Sequence, residues 1–345
     1  MTPIFKSGEK DDVNNYRPIS VLPLISKTME RTVQVQLVSF LTTNNVLSEH
    51  QSGFRKRHSI QTAVTYLTDF ILEGRDKQEM TGAVFIDLRK AFDLVDHKCL
   101  LHELEHYGVR GPSYNWFLDY LCIPSQRVKF GKELSSSLLL DYGVRQGSLL
   151  GPLLFVLYIN DLPQRLLRSN ISMNADDTVI YTTGLESDYI MTEIQEDLQR
   201  VEQWMKNNKL VLNLTKTKFM LFGTKQKLAN APFKIQLHGS DIERVRNFCY
   251  LGVTLDEYRS WKEHVSKVFT KVNKRLGLRI LGRIRSCLTL KAAKCVYNCL
   301  VLPVLCYTDT AWGELSVECK SRLQRLQNRA TRIIVRRDST SEALK

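Results

Sequence analysis

The sequence predicts an α+β fold, with a mixed body followed by a basic helical segment. Apolar residues at three- and four-residue spacing alternate with short β-branched runs over the first 257 residues, the pattern of helices packed on a sheet. The chain has 345 residues, of which 43% are hydrophobic, so it can bury a large core. We predict a βαβ-plus-hairpin sheet with helices on one face.

The elements of the body are predicted in order from periodicity and capping residues. A first helix is expected over 26–47, with Met29, Val33, Leu37 and Leu41 on its buried face. A second helix should begin after Ser59, which can act as its N-cap. Further helices are expected over 97–107, over 113–121 and from Asp188 onward. The apolar run 149–160 fits either a helix or a strand. Strands are expected over 83–88, on both sides of 175–177, and at about 218–223, 233–238 and 248–255.

The charge is concentrated at the end of the chain. The formal net charge is +13, and residues 258–345 contain 19 basic and 6 acidic residues, which accounts for the whole excess. We therefore predict a boundary between a neutral unit, 1–257, and a basic helical unit, 258–345. One predicted helix there has arginines on a single face: Arg322, Arg325, Arg329, Arg332 and Arg336. A solvated face, a nucleic-acid surface and a membrane surface are all compatible with this stripe.

Neither secretion nor a membrane span is predicted. The longest nearly apolar run, 149–159, is far shorter than the roughly 20 residues of a spanning helix, and charged residues occupy the N-terminal segment where a signal peptide is apolar. The eight cysteines contain no Cys-x-x-Cys pair, which favours reduced cysteines in an intracellular protein.

Three carboxylates stand where a buried sheet would not normally place them. Asp87 ends an apolar strand, and Asp176 and Asp177 lie between two others. On adjacent strands these groups would repel each other unless cations intervened, and two magnesium ions about 4 Å apart can activate a hydroxyl and stabilise a leaving group. Because side chains alternate along a strand, one of the adjacent aspartates should be the firmer ligand. Turn and capping aspartates are the alternative.

Seven short motifs occur in one order along the chain. They are Tyr16-Arg17-Pro18-Ile19-Ser20, Gly53-Phe54-Arg55, Phe85-Ile86-Asp87-Leu88 with Ala91-Phe92-Asp93, Gln146-Gly147-Ser148-Leu149-Leu150-Gly151-Pro152, Ala175-Asp176-Asp177, Asn213 with Lys216-Thr217-Lys218, and Tyr250-Leu251-Gly252-Val253. Over nearly its whole length the chain therefore resembles the reverse transcriptases of non-LTR (LINE-type, jockey-like) retrotransposons.

This resemblance implies a right-hand polymerase fold with fingers, palm and a helical basic thumb. The implied activity is RNA-directed DNA polymerisation by two-metal nucleotidyl transfer, with two Mg²⁺ ions, or Mn²⁺, as cofactors. The implied partners are an RNA template, a DNA primer and deoxynucleoside triphosphates, and the implied compartment is the nucleus.

The resemblance also assigns roles to individual residues. Asp87, Asp176 and Asp177 match the metal-binding catalytic triad, and Phe92 matches the aromatic gate against a 2′-hydroxyl, with ordinary core packing as the alternative. Arg55, Gln146 and Gly147 match nucleotide-binding positions. Lys216 or Lys218 matches a lysine near the leaving pyrophosphate, and the segment 250–253 matches the primer-grip hairpin. The stripe formed by Arg322, Arg325, Arg329 and Arg332 would bind nucleic acid.

The sequence departs from this family at three positions. Asn174 replaces a tyrosine, Arg145 replaces a proline and Arg57 replaces a frequent glycine. The start at Met1, directly before the first motif, predicts a truncated element. Two alternatives follow: a decayed copy that only binds nucleic acid, and a structural RNA-binding protein.

His102 and His106 also match a metalloprotease pattern, for which a solvated helix ended by Gly108 is the alternative.

Overall fold

The computed structural model describes residues 1–122, 125–229, 231, 234–276, 278–313 and 315–335. The strands are β1 (Thr2–Phe5), β2 (Tyr16–Ile19), β3 (Met80–Ile86), β4 (Ser125–Gln126), β5 (Lys129–Phe130), β6 (Glu133–Leu134), β7 (Leu138–Leu139), β8 (Asn170–Asn174), β9 (Asp177–Gly184), β10 (Lys218–Phe222), β11 (Gln236–Leu237), β12 (Ser240–Asp241), β13 (Glu243–Arg244), β14 (Asn247–Tyr250) and β15 (Val253–Asp256). The α-helices are α1 (Leu24–Thr43), α2 (Ile60–Asp76), α3 (His97–His106), α4 (Pro112–Cys122), α5 (Gly151–Tyr158), α6 (Ser187–Asn207), α7 (Lys225–Ala229), α8 (Lys262–Thr270), α9 (Leu278–Ile284), α10 (Leu290–Leu300), α11 (Leu302–Leu305), α12 (Asp309–Trp312) and α13 (Val317–Val335).

A five-stranded sheet forms the centre of the body, with strand order β13-β10-β3-β9-β8. The β10/β13 pair is parallel, whereas the other neighbouring strands are antiparallel. All seven residues of β3 are buried, as the apolar run predicted. The register pairs Ile86 with Thr178, so the ladder leads directly to Asp87 on one strand and Asp177 on the other.

Helices cover both faces of this sheet, so the prediction of helices on one face was wrong. Val84 and Ile86 pack in one cluster with residues of α1, α5 and α6. Ala83 and Phe85, which point the other way, pack in a second cluster with α2 and the β14–β15 hairpin. A strand that is apolar at every position requires cover on both sides. The uninterrupted apolar run 83–86 was therefore the sequence feature that indicated helices or other elements on both faces of the sheet.

Most predicted elements of the body form close to their expected positions. Ser59 caps α2, since its hydroxyl accepts the N–H of Thr62 at 3.2 Å. The ambiguous run 149–160 contains a buried helix, α5. The segment 248–255 is a two-stranded hairpin, β14–β15, as the resemblance implied, and not the single strand that periodicity suggested. Met29, expected on the buried face of the first helix, is exposed.

The C-terminal segment is helical, as the spacing predicted. After α8 the chain continues as a π-helix over Lys271–Leu276, and α13 packs its apolar stripe, including Leu326 and Ala330, against Val268 and Val272. This segment also contacts the body. Trp312 packs in the cluster on the α2 side of the sheet, and the hydroxyl of Thr310 accepts a hydrogen bond from Gln61 on α2 at 2.9 Å.

Two further predictions from the sequence concern the histidine pair on α3 and the absence of a membrane span. His102 and His106 are exposed on α3, and Gly108, with a φ of +93°, follows the end of that helix. Across the described ranges, the helices lack the combination of length and hydropathy needed to cross a bilayer.

Candidate active site

Two strand ends and one tight turn place the three aspartates at the same edge of the sheet. Asn174 pairs with Asp177, so Ala175 and Asp176 form a two-residue turn between β8 and β9. Ala175 has a φ of +59°, which fits the turn type favoured in such hairpins. By alternation, Asp177 lies on the same face as Asp87 on the neighbouring strand, and Asp176 occupies the turn beside them.

The electrostatics show that these carboxylates affect one another. Burial, followed by the charges of Asp176 and Asp87, raises the pKa of Asp177 to about 6, although much of the residue is exposed. Burial, followed by the charge of Asp87, also raises the pKa of Asp176, whereas the nearby cations Lys6 and Arg17 act in the opposite direction. A concentration of negative charge of this kind is relieved by bound cations.

The enzymes that the sequence resembles generally use divalent metal ions, so the groups available to bind such an ion are considered next. In the described part of the chain, no three Asp, Glu, His or Cys side chains stand close enough to form a ready-made metal site. The aspartates nevertheless offer the hard carboxylate oxygens that Mg²⁺ and Mn²⁺ prefer. Their residue types and mutual repulsion therefore suit a divalent ion, while the complete set of ligands is not assembled.

Asp87 is oriented by the segment that follows α6. Its Oδ2 accepts a hydrogen bond from Asn213 Nδ2 at 2.9 Å, and its backbone oxygen accepts the N–H of Asn213 at 2.8 Å. Its backbone N–H donates to Thr217 Oγ1 at 3.3 Å. Asn213 was part of a sequence motif without an assigned role; these hydrogen bonds identify it as the residue that fixes Asp87.

The two candidate lysines have different partners. Lys216 Nζ lies 3.8 Å from Asp87 Oδ2, whereas Lys218 Nζ forms an ion pair with Glu243 at 2.6 Å. Both lysines line a cavity of about 430 Å³ that also includes Asp87 and Asp177. Lys216 is therefore the lysine that lies beside Asp87.

The loop at Gln146 and Gly147 lies against the N-terminal hairpin. The backbone oxygen of Gln146 accepts the N–H of Ser20 at 2.8 Å, and its side-chain amide donates to Asp93 Oδ1 at 2.8 Å. Gly147 has a φ of +97°, and a Cβ there would lie only 3.0 Å from the backbone oxygen of Ser20, so glycine is needed on both counts.

A buried acid that sequence analysis missed supports the same loop. Glu30 on α1 is 2% exposed, and its Oε2 accepts the N–H of Leu149 at 2.8 Å. Its Oε1 accepts the hydroxyl of Tyr120 at 2.7 Å. A glutamate inside an apolar helical stripe was the available signal, because such a group is buried only when its oxygens have partners.

Phe92 and Arg55 are both engaged with the protein itself. The ring of Phe92 is half-buried and lies 4.6 Å, centroid to centroid, from that of Phe155. Arg55 Nη1 donates to the backbone oxygens of Ser48 and Gln51, the latter at 3.1 Å. In this conformation the Arg55 side chain is thus tied to the chain segment that precedes it.

The hairpin at 250–253 closes the cavity on one side. Leu251 and Gly252 form its turn, both with positive φ. Tyr307, between α11 and α12, donates its hydroxyl to the backbone oxygen of Leu251 at 2.8 Å. Tyr250 and Phe248 line the cavity, and the Phe248 ring stacks on Phe85 at 4.3 Å. The hairpin is therefore held between the sheet and the basic helices.

The predicted arginine stripe lies along α13. Arg325, Arg329 and Arg332 are exposed, and Arg322 lies over the ring of Phe269 at 4.9 Å. Arg329 donates to Asn273 Oδ1 at 2.9 Å. Among the described residues, ion pairs to acids are absent from these four arginines. Arg336 lies outside the described residues.

Comparisons with known proteins agree with the expected resemblance to non-LTR retrotransposon enzymes. The chain is 32% identical over 340 residues to a probable RNA-directed DNA polymerase from transposon BS, and 30% identical over 338 residues to one from transposon X-element, both of Drosophila melanogaster. It is 26% identical over 333 residues to the RNA-directed DNA polymerase from mobile element jockey of the same species. These alignments cover 94–96% of this chain but only 36–37% of each relative, so the chain spans little more than a third of the length of these curated relatives.

A solved structure and a family match complete the comparison. Telomerase from Candida albicans in complex with a fragment of telomeric RNA aligns over 93% of this chain and 58% of that chain, with 14% identity and a TM-score of 0.46. Residues 6–255 match the family described as reverse transcriptase (RNA-dependent DNA polymerase). That match includes the three aspartates and the sheet that holds them, and the chain therefore belongs to the reverse transcriptase family.

Proposed function

We propose that the chain catalyses RNA-directed DNA synthesis, adding deoxynucleotides to a DNA primer paired with an RNA template. The observation that carries this proposal is the register that sets Asp87 beside Asp177, with Asp176 in the adjoining turn. Three acidic groups whose charges interact at one sheet edge are costly for a fold alone, and they suit a reaction that transfers phosphate groups between oxygen atoms.

Asp87, Asp176 and Asp177 would hold the divalent ions, Mg²⁺ or Mn²⁺. When bound, two such ions stabilise the charge on the attacking 3′ oxygen and on the leaving pyrophosphate. Asn213 keeps Asp87 oriented through its 2.9 Å hydrogen bond. Lys216, beside Asp87, would neutralise or protonate the leaving group, whereas Lys218 is paired with Glu243.

The nucleotide would lie between the aspartates and the loop at Gln146 and Gly147. The absence of a side chain at Gly147 lets a backbone or a nucleotide approach closely. Phe92 would border the sugar, with its ring supported by Phe155. Arg55 would contact the triphosphate only after leaving the backbone oxygens that it now binds.

Residues 258–345 would act as a basic thumb that grips the primer–template duplex, and 1–257 as fingers and palm. The stripe of Arg322, Arg325, Arg329 and Arg332, of which the last three are exposed, would provide positive charge for phosphates. Synthesis at a chromosomal target would place the protein in the nucleus.

Primer extension on an RNA template with MgCl₂ or MnCl₂ tests this function. We expect the wild-type chain to extend the primer and Asp176→Asn to lose extension while it still binds the duplex. A wild-type chain that binds duplex but never extends the primer would contradict the proposed activity and support the decayed, binding-only alternative.

The variant Asn174→Tyr tests whether slow extension comes from the asparagine at this position. Asn174 lies directly before the turn, and an aromatic ring there would offer an apolar surface to the primer end. We expect this variant to extend faster with unchanged duplex affinity, because misplacement by about 1 Å can cost roughly 10²-fold in rate.

A further inference from the structure

We propose that Gln51 is a positioning residue, whose side-chain carbonyl oxygen fixes the turn carrying Asp176 and thereby sets the affinity of that turn for divalent ions. Gln51 belongs to none of the motifs described above, and this inference rests on the proposed function of the carboxylates.

Gln51 binds two backbone N–H groups through one oxygen. Its Oε1 accepts the N–H of Ala175 at 3.0 Å and the N–H of Gly53 at 2.7 Å. Both partners are donors, so the oxygen of the amide must face them and the orientation of the side chain is defined. Ala175 is the first residue of the two-residue turn, so this hydrogen bond acts directly on the backbone that presents Asp176.

The surroundings make this hydrogen bond difficult to replace. Gln51 is 0% exposed, and its Nε2 has no hydrogen-bond partner among the described residues. A buried amide that leaves one group unsatisfied is retained at a cost in stability. An apolar residue here would leave the N–H groups of Ala175 and Gly53 without this acceptor, so the oxygen is the part of the side chain that the turn needs.

Backbone hydrogen bonds bring the same segment against β8. Gln51 forms a bridge with Met173, the N–H of Ser52 donates to the oxygen of Met173 at 2.8 Å, and the N–H of Met173 donates to the oxygen of His50 at 2.8 Å. At Gly53, a Cβ would lie 2.4 Å from the nitrogen of Ala175. The backbones of the segment and the turn therefore touch directly.

The other side of the segment is anchored to the rest of the body. Asn160, just beyond α5, accepts the N–H of Ser48 at 2.8 Å and donates to the oxygen of Val46 at 2.8 Å. Arg55 donates to the oxygens of Ser48 and Gln51. A continuous chain of hydrogen bonds thus runs from the end of α5 through Gln51 to the carboxylate turn.

The test compares variants of matched size in the full chain. Gln51→Met keeps the volume but removes the acceptor, whereas Gln51→Glu keeps an acceptor oxygen. Gln195→Met is the control, because Gln195 also binds backbone groups through both ends of its amide, at Gln236, on an element remote from the aspartates. Gly53→Ala displaces the same turn by overlap rather than by removal of a hydrogen bond.

Two measurements need no polymerase activity. Hydrogen exchange reports the protection of the peptide spanning 174–178, and electron paramagnetic resonance with MnCl₂ reports ion binding. We expect Gln51→Met to exchange about tenfold faster there and to bind Mn²⁺ about tenfold more weakly. Gly53→Ala should show the same two changes, Gln51→Glu should retain more protection than Gln51→Met, and Gln195→Met should match the wild type.

The outcomes separate this role from the function itself. Unchanged Mn²⁺ affinity in both Gln51→Met and Gly53→Ala would overturn the inference, as would an equal decrease in Gln195→Met. If Gln51→Met does not fold, Gly53→Ala alone decides between these results. Absence of Mn²⁺ binding in the wild type would instead overturn the metal site of the proposed function.

Discussion

Arg57 adopts a backbone conformation that its side chain disfavours. Its φ is +66°, in the left-handed region where glycine is at ease and other residues lose about 1–2 kcal/mol. This positive φ explains why the resembling family frequently has glycine at the position of Arg57. We expect Arg57→Gly to raise the free energy of unfolding by about 0.5–1 kcal/mol, because relief of strain exceeds the greater chain entropy of glycine.

Chemical denaturation measures this change, and the neighbouring residue provides the control. Lys56 is also exposed but has no positive φ, so Lys56→Gly should destabilise the protein. Equal effects of both substitutions would show that Arg57 is not strained.

His264 makes the stability depend on pH. It is 4% exposed, its Nδ1 accepts the N–H of Thr254 at 3.2 Å, and burial, followed by the charge of Lys267, lowers its pKa to about 4. Because the unfolded chain binds this proton near pH 6.5 and the folded chain does not, stability should fall as the pH decreases from about 6.5 to 4, by up to about 3 kcal/mol.

Urea unfolding at several pH values checks this slope. His264→Gln, which cannot titrate, should lose stability less steeply over that range, even if it is less stable at pH 7. A slope identical to that of the wild type would mean that other groups cause the acid sensitivity.

The aspartates could be predicted from the sequence, but the residues that hold them could not. Asp87, Asp176 and Asp177 were detectable because charged groups interrupt apolar strands. Asn213 and Gln51 are ordinary polar residues in loops, and only the hydrogen bonds of the folded chain show what they do. Arg55 illustrates the same limit, since no local pattern indicates that its donors bind the backbone of Ser48.

At the level of elements, periodicity located most helices and strands but not their partners. Periodicity suggested one strand over 248–255, because the turn at Leu251 and Gly252 lies within a largely apolar run, whereas the family resemblance implied the β14–β15 hairpin. The cover on both faces of β3 follows from tertiary packing with α2 on one side and α6 on the other. Spacing along a sequence predicts that a face is buried, not which element buries it.

The arginine stripe of α13 allows a test at the same level. Replacing Arg325, Arg329 and Arg332 by alanine should weaken duplex binding equally for all sequences. It should also reduce the slope of log affinity against log salt by about one unit for each phosphate that is no longer neutralised. Filter binding between low and moderate salt measures both effects.

A matched triple variant controls for the removal of charge alone. Lys98, Arg110 and Lys206 are exposed cations on the body, and their replacement by alanine should change the salt slope much less. If the two triple variants behave alike, the stripe is an ordinary solvated face.

For the whole molecule, the mutual repulsion of the aspartates should lower stability when no metal is bound. The raised pKa of Asp177 means that metal-free stability falls as the pH rises through about 6. We therefore expect Asp177→Asn to raise the melting temperature by a few degrees in EDTA at pH 7.5. The wild type should gain more from MnCl₂ than the variant does, since binding to the folded state stabilises it.

Thermal melts in EDTA and in MnCl₂ provide the measurement, with Asp188→Asn as a control on a distant helix start. A lower melting temperature for Asp177→Asn in EDTA would indicate that this carboxylate supports the fold. An equal gain from MnCl₂ in both proteins would place the ion elsewhere.

The pairing of β3 with β9 also affects how copies of this gene tolerate insertions and deletions. Deletion of one codon within β9 would shift the pairing by one residue and exchange the two faces of the strand. Val179 and Ile180, buried on opposite sides, would exchange environments, and Asp177 would no longer stand opposite Asp87. The short strands β5, β6 and β7, within 129–139, are exposed and lie outside the central sheet, so the same deletion there would leave that sheet intact. In-frame length changes should therefore accumulate in that surface segment long before they appear in the central strands.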